Sequence, residues 1–295
     1  MELSKSFFQE EERCGFLVTE KRKKIWAVEL GLLEKFDEVC KKHHLTYYAY
    51  YGTLLGAVRH QGFIPWDDDM DIVMFRDDYE RFQAIAPQEF TEPYFYQNSY
   101  TDQVTWPFSK LRDSRTTAAE KNFAGLGSSF HQGIFIDIFP LDSAQDPDDA
   151  RTAFIAEMQN LLWIGIMNPS LALQAVMQEP QESSLKTFML DYLRKDRTEK
   201  FRVFENYNLT AVKESKKVNY VLSEMVLHDC KSVDRDWFRE TVYLPFENMQ
   251  IPAPAEYDKI LKECYGDYHR FVQGGTAHEG IVIEPEIPYK EYFSR

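Results

Sequence analysis

Four carboxylates in five positions, Asp67-Asp68-Asp69-Met70-Asp71, run straight into the apolar pair Ile72-Val73. No other feature limits the fold as tightly. Two unit charges 4 Å apart repel by about 4 kcal/mol at an effective dielectric of 20, so this crowding needs a cation or open solvent to offset it. The apolar residues that follow argue against solvent alone. The pattern predicts a strand over 69–75, and residues two apart on a strand leave the same face. Asp69 and Asp71 then lie about 6 to 7 Å apart at their α-carbons, close enough for both carboxylates to grip one ion. Hard oxygen ligands on a rigid strand suit Mg²⁺ or Mn²⁺, with water and substrate phosphate as further ligands. For an isolated Asp-Asp-Asp run, a solvated loop or a calcium-like surface site is an equally good reading. The upstream sequence tips the balance.

Residues 45–51, Leu45-Thr46-Tyr47-Tyr48-Ala49-Tyr50-Tyr51, are aromatic and β-favouring, and Gly52 ends them. Residues 54–60 read as a short helix after Gly52-Thr53, with Gly62 and Pro65 marking a turn before the acids. A glycine between strand and helix lets backbone amides approach a phosphate, and a helix start favours negative charge. Gly-Thr alone says little; the order strand, Gly-Thr, helix, turn, Asp-Met-Asp says a great deal. A third carboxylate is expected from Asp137, set in the run Ile134-Phe135-Ile136-Asp137-Ile138-Phe139. An acid in such a run is costly to bury unpaired. Its plainer reading is an edge-strand residue facing water, and Asp142, beyond Pro140, is the weaker substitute. Lys110 and Arg112 alternate with Leu111 and share a predicted strand face, while Arg59 and His60 end the helix after Gly-Thr. Each alone is an ordinary surface charge; with Arg115 they form a set of phosphate contacts.

The rest of the chain frames this segment. Ile25, Val28, Leu32, Phe36 and Val39 recur at three- and four-residue steps, predicting an amphipathic helix over 25–44. Asp77-Asp78 caps another helix carrying Tyr79, Phe82 and Ile85, and short strands are predicted at 94–97, 108–112, 116–120 and 133–139, the last closed by Pro140. After Asp142 the texture turns helical: Asp146-Pro147-Asp148-Asp149 reads as a cap, and helical patterns run to about residue 229, broken near Asn168-Pro169 and Glu179-Pro180. Pro245, Pro252 and Pro254 then precede a helix over 255–265. The expected class is α/β (α+β). Residues 1–145 would form an N-terminal helix and catalytic core, 146–230 a helical insertion, and 231–295 a segment returning to the core. At 295 residues the chain can bury a sizeable core without staples.

A net charge of −14 removes weight from a nucleic-acid partner, which needs a basic stripe. It does not exclude a phosphate-bearing substrate, because a bound divalent cation reverses the local field. Cys14, Cys40, Cys230 and Cys264 form no CxxC pair, so no zinc site is indicated and reduced thiols are the simpler expectation. The first 24 residues hold no signal-peptide run, and no stretch reaches about 18 apolar residues; the longest, 161–167, is far too short. A soluble cytoplasmic protein with no transmembrane segment is expected. His269 and His278 flank Gly274-Gly275, with Glu279 following. One would serve as general base or substrate contact, although a surface histidine is the plainer reading. Trp66, Trp106, Tyr47, Tyr48, Tyr50 and Tyr51 would stack on a base or cage a quaternary ammonium, more of them being core than cage.

The segments Tyr51-Gly52-Thr53-Leu54-Leu55-Gly56-Ala57-Val58-Arg59-His60 and Gly62-Phe63-Ile64-Pro65-Trp66-Asp67-Asp68-Asp69-Met70-Asp71-Ile72 resemble the central signature of the LicD family. Lys110-Leu111-Arg112-Asp113 with Thr116, the Gly133 to Asp142 block, and Tyr265-Gly266-Asp267-Tyr268 resemble its later blocks; residues 150–240 match loosely. The resemblance implies a nucleotidyltransferase-type fold with a mixed sheet. It also implies transfer of phosphocholine from CDP-choline to a cell-surface glycan such as teichoic acid or lipopolysaccharide. Fukutin-related transferases, which use CDP-ribitol, share this core. By the same resemblance Asp69, Asp71 and Asp137 are the metal carboxylates and Gly52-Thr53 the phosphate loop, with Thr53 standing where a second Gly or Ser is usual. Asp67 matches a family aspartate. A lipid-linked acceptor would place the enzyme at the inner face of a membrane.

The expected reaction is in-line attack by an acceptor hydroxyl on the β-phosphorus of a CDP-alcohol, with CMP leaving. Mg²⁺ or Mn²⁺ would polarise the phosphate, Asp137 or a neighbour would take the proton, and Lys110 and Arg112 would balance the diphosphate. The nearest rival is nucleotidyl transfer from an NTP. A rival of another class is a non-catalytic nucleotide- or glycan-binding module on the same fold.

Overall fold

A computed structural model describes residues 3–102, 104, 106–119, 129–144, 151–220, 232–274 and 280–295. After a hairpin of β1 (Glu11–Arg13) and β2 (Phe16–Val18) comes the long helix α1 (Glu20–His43). It starts ahead of the predicted 25 because Thr19 caps it, its hydroxyl accepting from the Arg22 amide at 3.3 Å. It stops where His44 turns left-handed at φ 53°. Ile25, Leu32, Phe36 and Val39 are buried as the periodicity requires, with Trp26, Leu30 and Leu33 fully buried beside them. Trp26 stacks on Phe63 at 4.8 Å, and Phe36 meets Tyr47 and Phe82 edge-on.

The chain then forms β3 (Tyr48–Ala49), α2 (Tyr51–His60), β4 (Asp71–Phe75), α3 (Arg76–Glu89), β5 (Tyr94–Gln97), β6 (Ser109–Asp113), β7 (Thr117–Ala119) and β8 (Ile134–Ser143). The strands are ordered β3-β4-β8-β6-β5. Antiparallel registers pair Tyr48 with Val73, Lys110 with Asp137 and Gln97 with Lys110. Residues 71–74 of β4 are all buried, as expected of a central strand covered on both faces. Helices and a mixed sheet thus build the core, in keeping with the α/β class.

Two expectations about local structure are corrected. Gly52 and Thr53 do not form a loop ahead of a helix; they lie in the first turn of α2, which begins at Tyr51. Pro140 does not close the predicted strand. The pairing of β8 with β6 ends at Ile138 and its pairing with β9 (Lys217–Asn219) begins at Asp142, so the proline falls in the gap between those two antiparallel pairings.

The chain divides into two compact units, the first being Met1–Gln97, Phe108–Pro140 and Trp237–Arg295, the second Asn98–Pro107 and Leu141–Asp236. In the second unit α4 (Thr152–Met167), α5 (Pro169–Met177), α6 (Ser184–Arg194) and α7 (Arg197–Ala211) precede β9 and β10 (Val233–Asp234). Asn168 caps α5 with Pro169 in its first turn, and Asp196 with Glu199 forms a capping box on α7. Trp163 packs against Phe201 and Phe204, and Gln159 donates to Asn208 at 3.1 Å.

The first unit is completed by β11 (Thr241–Phe246), β12 (Met249–Pro254), α8 (Tyr257–Tyr265), β13 (Val282–Glu284) and α9 (Tyr289–Tyr292). β11 and β12 form a hairpin whose Glu247 meets Arg13 at 2.6 Å, and β13 pairs with β7. Cys14 and Cys40 carry free thiols. Cys264 is disulfide-bonded, which corrects the expectation of reduced thiols at that residue. Glu120, the Asp146-Pro147-Asp148-Asp149 cap, Cys230, Gly275, His278 and Glu279 lie outside the described residues. Among the described residues no helix is long and apolar enough to cross a membrane.

Candidate active site

Carboxylates from neighbouring strands converge where β4 begins. Asp69, Asp71 and Asp137 each bring an oxygen within 4.8 Å of the others, and Asp67, Asp68 and Asp69 form a second such group sharing Asp69. The backbone fixes the first group. Asp137 donates its amide to the Met70 carbonyl at 2.8 Å, so β8 delivers its acid beside the acids of β4. Asp71 donates its amide to Thr53 Oγ1 at 2.8 Å, and Tyr50 donates to the Asp71 carbonyl at 3.0 Å. Thr53 therefore anchors the strand by its hydroxyl. Asp137 is only 4% exposed, which removes the water-facing edge reading. Asp142 lies in the second unit, paired with Asn219.

The charges do not balance within the cluster. Burial pushes the Asp71 carboxyl well above the usual carboxylate range, Asp69, Asp137 and Asp67 push it further, and Lys110 only partly opposes them. Lys110 Nζ lies 2.6 Å from Asp137 Oδ1, an ion contact outside hydrogen-bond alignment, and 3.5 Å from the centre of the Phe135 ring. Burial also raises the Asp67 carboxyl, with the Asp69 hydrogen bond, the Asp68 amide and Arg22 opposing and the Asp68 charge adding to the rise. A divalent cation fits this donor set: hard oxygens, mutually close, with their shared negative charge only partly compensated.

Helix α2 opens directly against these acids. A β-carbon on Gly52 would stand 2.6 Å from Asp67 Oδ2 and 3.9 Å from Asp71 Oδ2, so only glycine admits the approach. The positive end of the helix faces the carboxylates. Arg59 sits at the other end, donating to the Tyr268 carbonyl at 3.0 Å and lying 4.8 Å over Phe271, with no carboxylate partner among the described residues. Arg112 is fully buried, donating to Gln97 and to the Gly133 carbonyl, and is thereby placed to hold strands together rather than to meet a diphosphate. Arg115 is held by Asp113. Tyr47, Tyr48 and Tyr50 are buried core residues, and His269 lies against Tyr268.

Four contributors escaped the sequence reading. Arg22 and Trp26 on α1 both donate to the Asp67 carbonyl, at 2.5 and 3.4 Å. Glu29, one further turn along that face, is 1% exposed, and its Oε2 has no hydrogen-bond partner among the described residues. Burial, then Asp69, Asp68 and Asp67, raise its carboxyl well above the ordinary value. Tyr265, closing α8, is 42% exposed as a residue, but enclosure of its hydroxyl, then Asp71 and Asp67, raise it, which places that hydroxyl near the cluster. The Tyr265-Gly266-Asp267-Tyr268 block was the only signal for it.

Residues 44–160 match the family model for the LicD/FKTN/FKRP nucleotidyltransferase domain. The chain carries a LicD-family domain. That domain contains both groups of acids, Gly52-Thr53 and Lys110. The chain is 28% identical over 247 residues to the lipopolysaccharide cholinephosphotransferase LicD of Haemophilus influenzae, covering 81% of this chain and 88% of that one. Shorter matches join it to uncharacterized proteins of Rickettsia typhi, 49% over 57 residues, and Rickettsia prowazekii, 44% over 70 residues. These cover 18% and 24% of those proteins, so they show local likeness alone. The similarity to Haemophilus LicD extends well past the LicD domain and supports a transferase.

Proposed function

We propose that this protein transfers a phospho-alcohol, phosphocholine before others, from a CDP-alcohol to a hydroxyl of a cell-surface glycan such as lipopolysaccharide or teichoic acid. The observation that carries the reading is the meeting of Asp69, Asp71 and Asp137 at the positive start of α2. The similarity to the Haemophilus lipopolysaccharide cholinephosphotransferase supports the choice of phosphocholine and of a glycan acceptor.

Asp69, Asp71 and Asp137 would hold Mg²⁺ or Mn²⁺, which when bound supplies Lewis-acid polarisation and charge neutralisation at the phosphates. The acceptor oxygen forms a bond to the β-phosphorus as the bond from that phosphorus to the CMP oxygen breaks. CMP departs with those electrons, and the acceptor proton passes to a carboxylate of the cluster. The first turn of α2 offers backbone dipoles to the diphosphate, Gly52 permits close approach, and Lys110 fixes the orientation of Asp137. A lipid-linked acceptor would bring the enzyme to a membrane surface.

The test is to incubate purified protein and Mg²⁺ with CDP-choline, CDP-ribitol, CDP-glycerol or CTP, with glycan acceptor present. Release of CMP from a CDP-alcohol, and of phospho-alcohol onto the glycan, is the expected result. Pyrophosphate from CTP would replace the reading with nucleotidyl transfer. Tight binding without turnover of any donor would make the domain a binding module.

A further inference from the structure

The donor reading leaves its base without a seat. A cavity of about 370 Å³ opens among Cys14, Trp66, Phe271 and Gln273. Trp66 immediately precedes the acidic run, and Phe271 lies in the segment after α8. The His60 ring lies 6.3 Å from Trp66 and 5.3 Å from Phe271, at interplanar angles of 82° and 90°. Both larger rings thus meet the imidazole in edge-to-face arrangements, and Arg59 lies over one face of Phe271, so a ligand ring would use the other.

We propose that this cavity seats the pyrimidine ring of the donor nucleotide, a subsite that rests on the CDP-alcohol reading. Trp66 and Phe271 supply π faces, and stacking on aromatic side chains is the general way a protein holds a base. The Gln273 amide offers a donor and an acceptor, which match the hydrogen-bonding edge of a base. A quaternary ammonium would also accept aromatic walls, but it has no use for an amide. It would moreover meet Arg59, whose guanidinium lies 4.8 Å over Phe271 with no carboxylate partner among the described residues. No carboxylate lines the cavity among the described residues. Arg59 therefore favours an anionic nucleotide over a cationic head group.

The spacing agrees. From Gly52, against the carboxylates, to His60, beside the cavity, α2 rises about 12 Å at 1.5 Å per residue. This is of the order of the reach of an extended nucleoside diphosphate from its base to its outer phosphorus. The alcohol would then project past the acids, away from the cavity.

The test titrates CMP and, separately, phosphocholine into intact protein with Mg²⁺, comparing wild type with Phe271→Ala and Gln273→Ala by calorimetry. Phe271 is 53% exposed, so its removal is expected to leave the fold intact, which thermal melting of the variant checks. The expected result is that the CMP dissociation constant rises about tenfold in Phe271→Ala and rises less in Gln273→Ala, with phosphocholine affinity unchanged in both. Unchanged CMP affinity in Phe271→Ala, or weakened phosphocholine affinity instead, overturns the subsite while leaving the donor reading in place. If wild-type protein neither binds CMP nor releases it from any CDP-alcohol, the donor reading itself has failed and the subsite with it.

Discussion

A β-carbon on residue 52 would lie 2.6 Å from Asp67 Oδ2, so the start of α2 and the acidic run approach as closely as they do only because residue 52 is glycine. Gly52→Ala forces the Asp67 carboxylate aside, and Asp71 Oδ2, at 3.9 Å from the same point, receives any further displacement. Misplacing catalytic groups by about 1 Å costs on the order of 100-fold in rate. Gly52→Ala is expected to lose about that factor in CMP release while keeping its circular dichroism and a cooperative melt. Activity within a few-fold of wild type would show that the approach is incidental.

The Lys110 ammonium contacts Asp137, and both side chains are buried. Removing one partner of a buried pair costs about 3–5 kcal/mol, because the other charge is left uncompensated. Lys110→Met is expected to lower the melting temperature of metal-free protein, and saturating Mg²⁺ is expected to recover much of the loss. A variant that melts like wild type in EDTA would mean that the contact between Lys110 and Asp137 adds nothing to the metal-free fold.

Asp71 tests the cation from the opposite side. Buried among Asp69, Asp137 and Asp67, its carboxyl is raised well above the usual range, so the charged form works against the metal-free fold. Asp71→Asn keeps the shape and removes that charge. It is expected to raise the metal-free melting temperature by a few degrees, on the order of 1–2 kcal/mol. It should also abolish activity and the Mg²⁺-dependent rise in melting temperature that binding to the native state produces. An undiminished Mg²⁺ response in Asp71→Asn would remove Asp71 from the metal ligands.

The parts of this site legible in the sequence are those written into local pattern. Asp69 and Asp71 were visible because an acid recurring at step two, ahead of Ile72-Val73, is costly without a purpose. Asp137 stood out as one charge in an apolar run, and its burial beside β4 follows from that cost. The helix of 25–44 was plain, yet its acid-facing role was not. Glu29 reads as one more polar residue until the fold buries it, and Arg22 and Trp26 meet the Asp67 carbonyl from 45 and 41 residues away. Arg112 illustrates the converse. Alternation put it on the face of Lys110, but its guanidinium reaches Gln97 and the Gly133 carbonyl, partners that only the sheet register brings near. Tyr265 joins the acids through the return of the chain after β12, a long-range placement that periodicity does not encode.

His131 gives the fold a pH dependence that can be measured apart from the acids. Its Nδ1 accepts from the Gly133 amide at 3.2 Å, which leaves the proton on Nε2 to donate to Ser114 Oγ at 2.9 Å. Phe95 stacks on the ring at 4.8 Å and Tyr289 covers it at 4.4 Å, so the neutral tautomer is enclosed. Burial, then Arg112 and Lys290, push its pKa down to about 3 from an ordinary 6.5. Between those values the unfolded chain binds a proton that the folded chain refuses. Its stabilising contribution is therefore complete above about pH 6.5 and declines as pH falls toward 3, by up to about 1.4 kcal/mol per pH unit. Carboxylates add their own acid response, so the informative quantity is the difference between wild type and His131→Gln. Denaturant melts at pH 7.5, 5.5 and 4.5 are expected to show the variant less stable at neutral pH, with the gap narrowing steadily as the solution is acidified. A gap that stays constant over that range would mean that His131 takes up its proton in the folded protein as readily as in the unfolded chain.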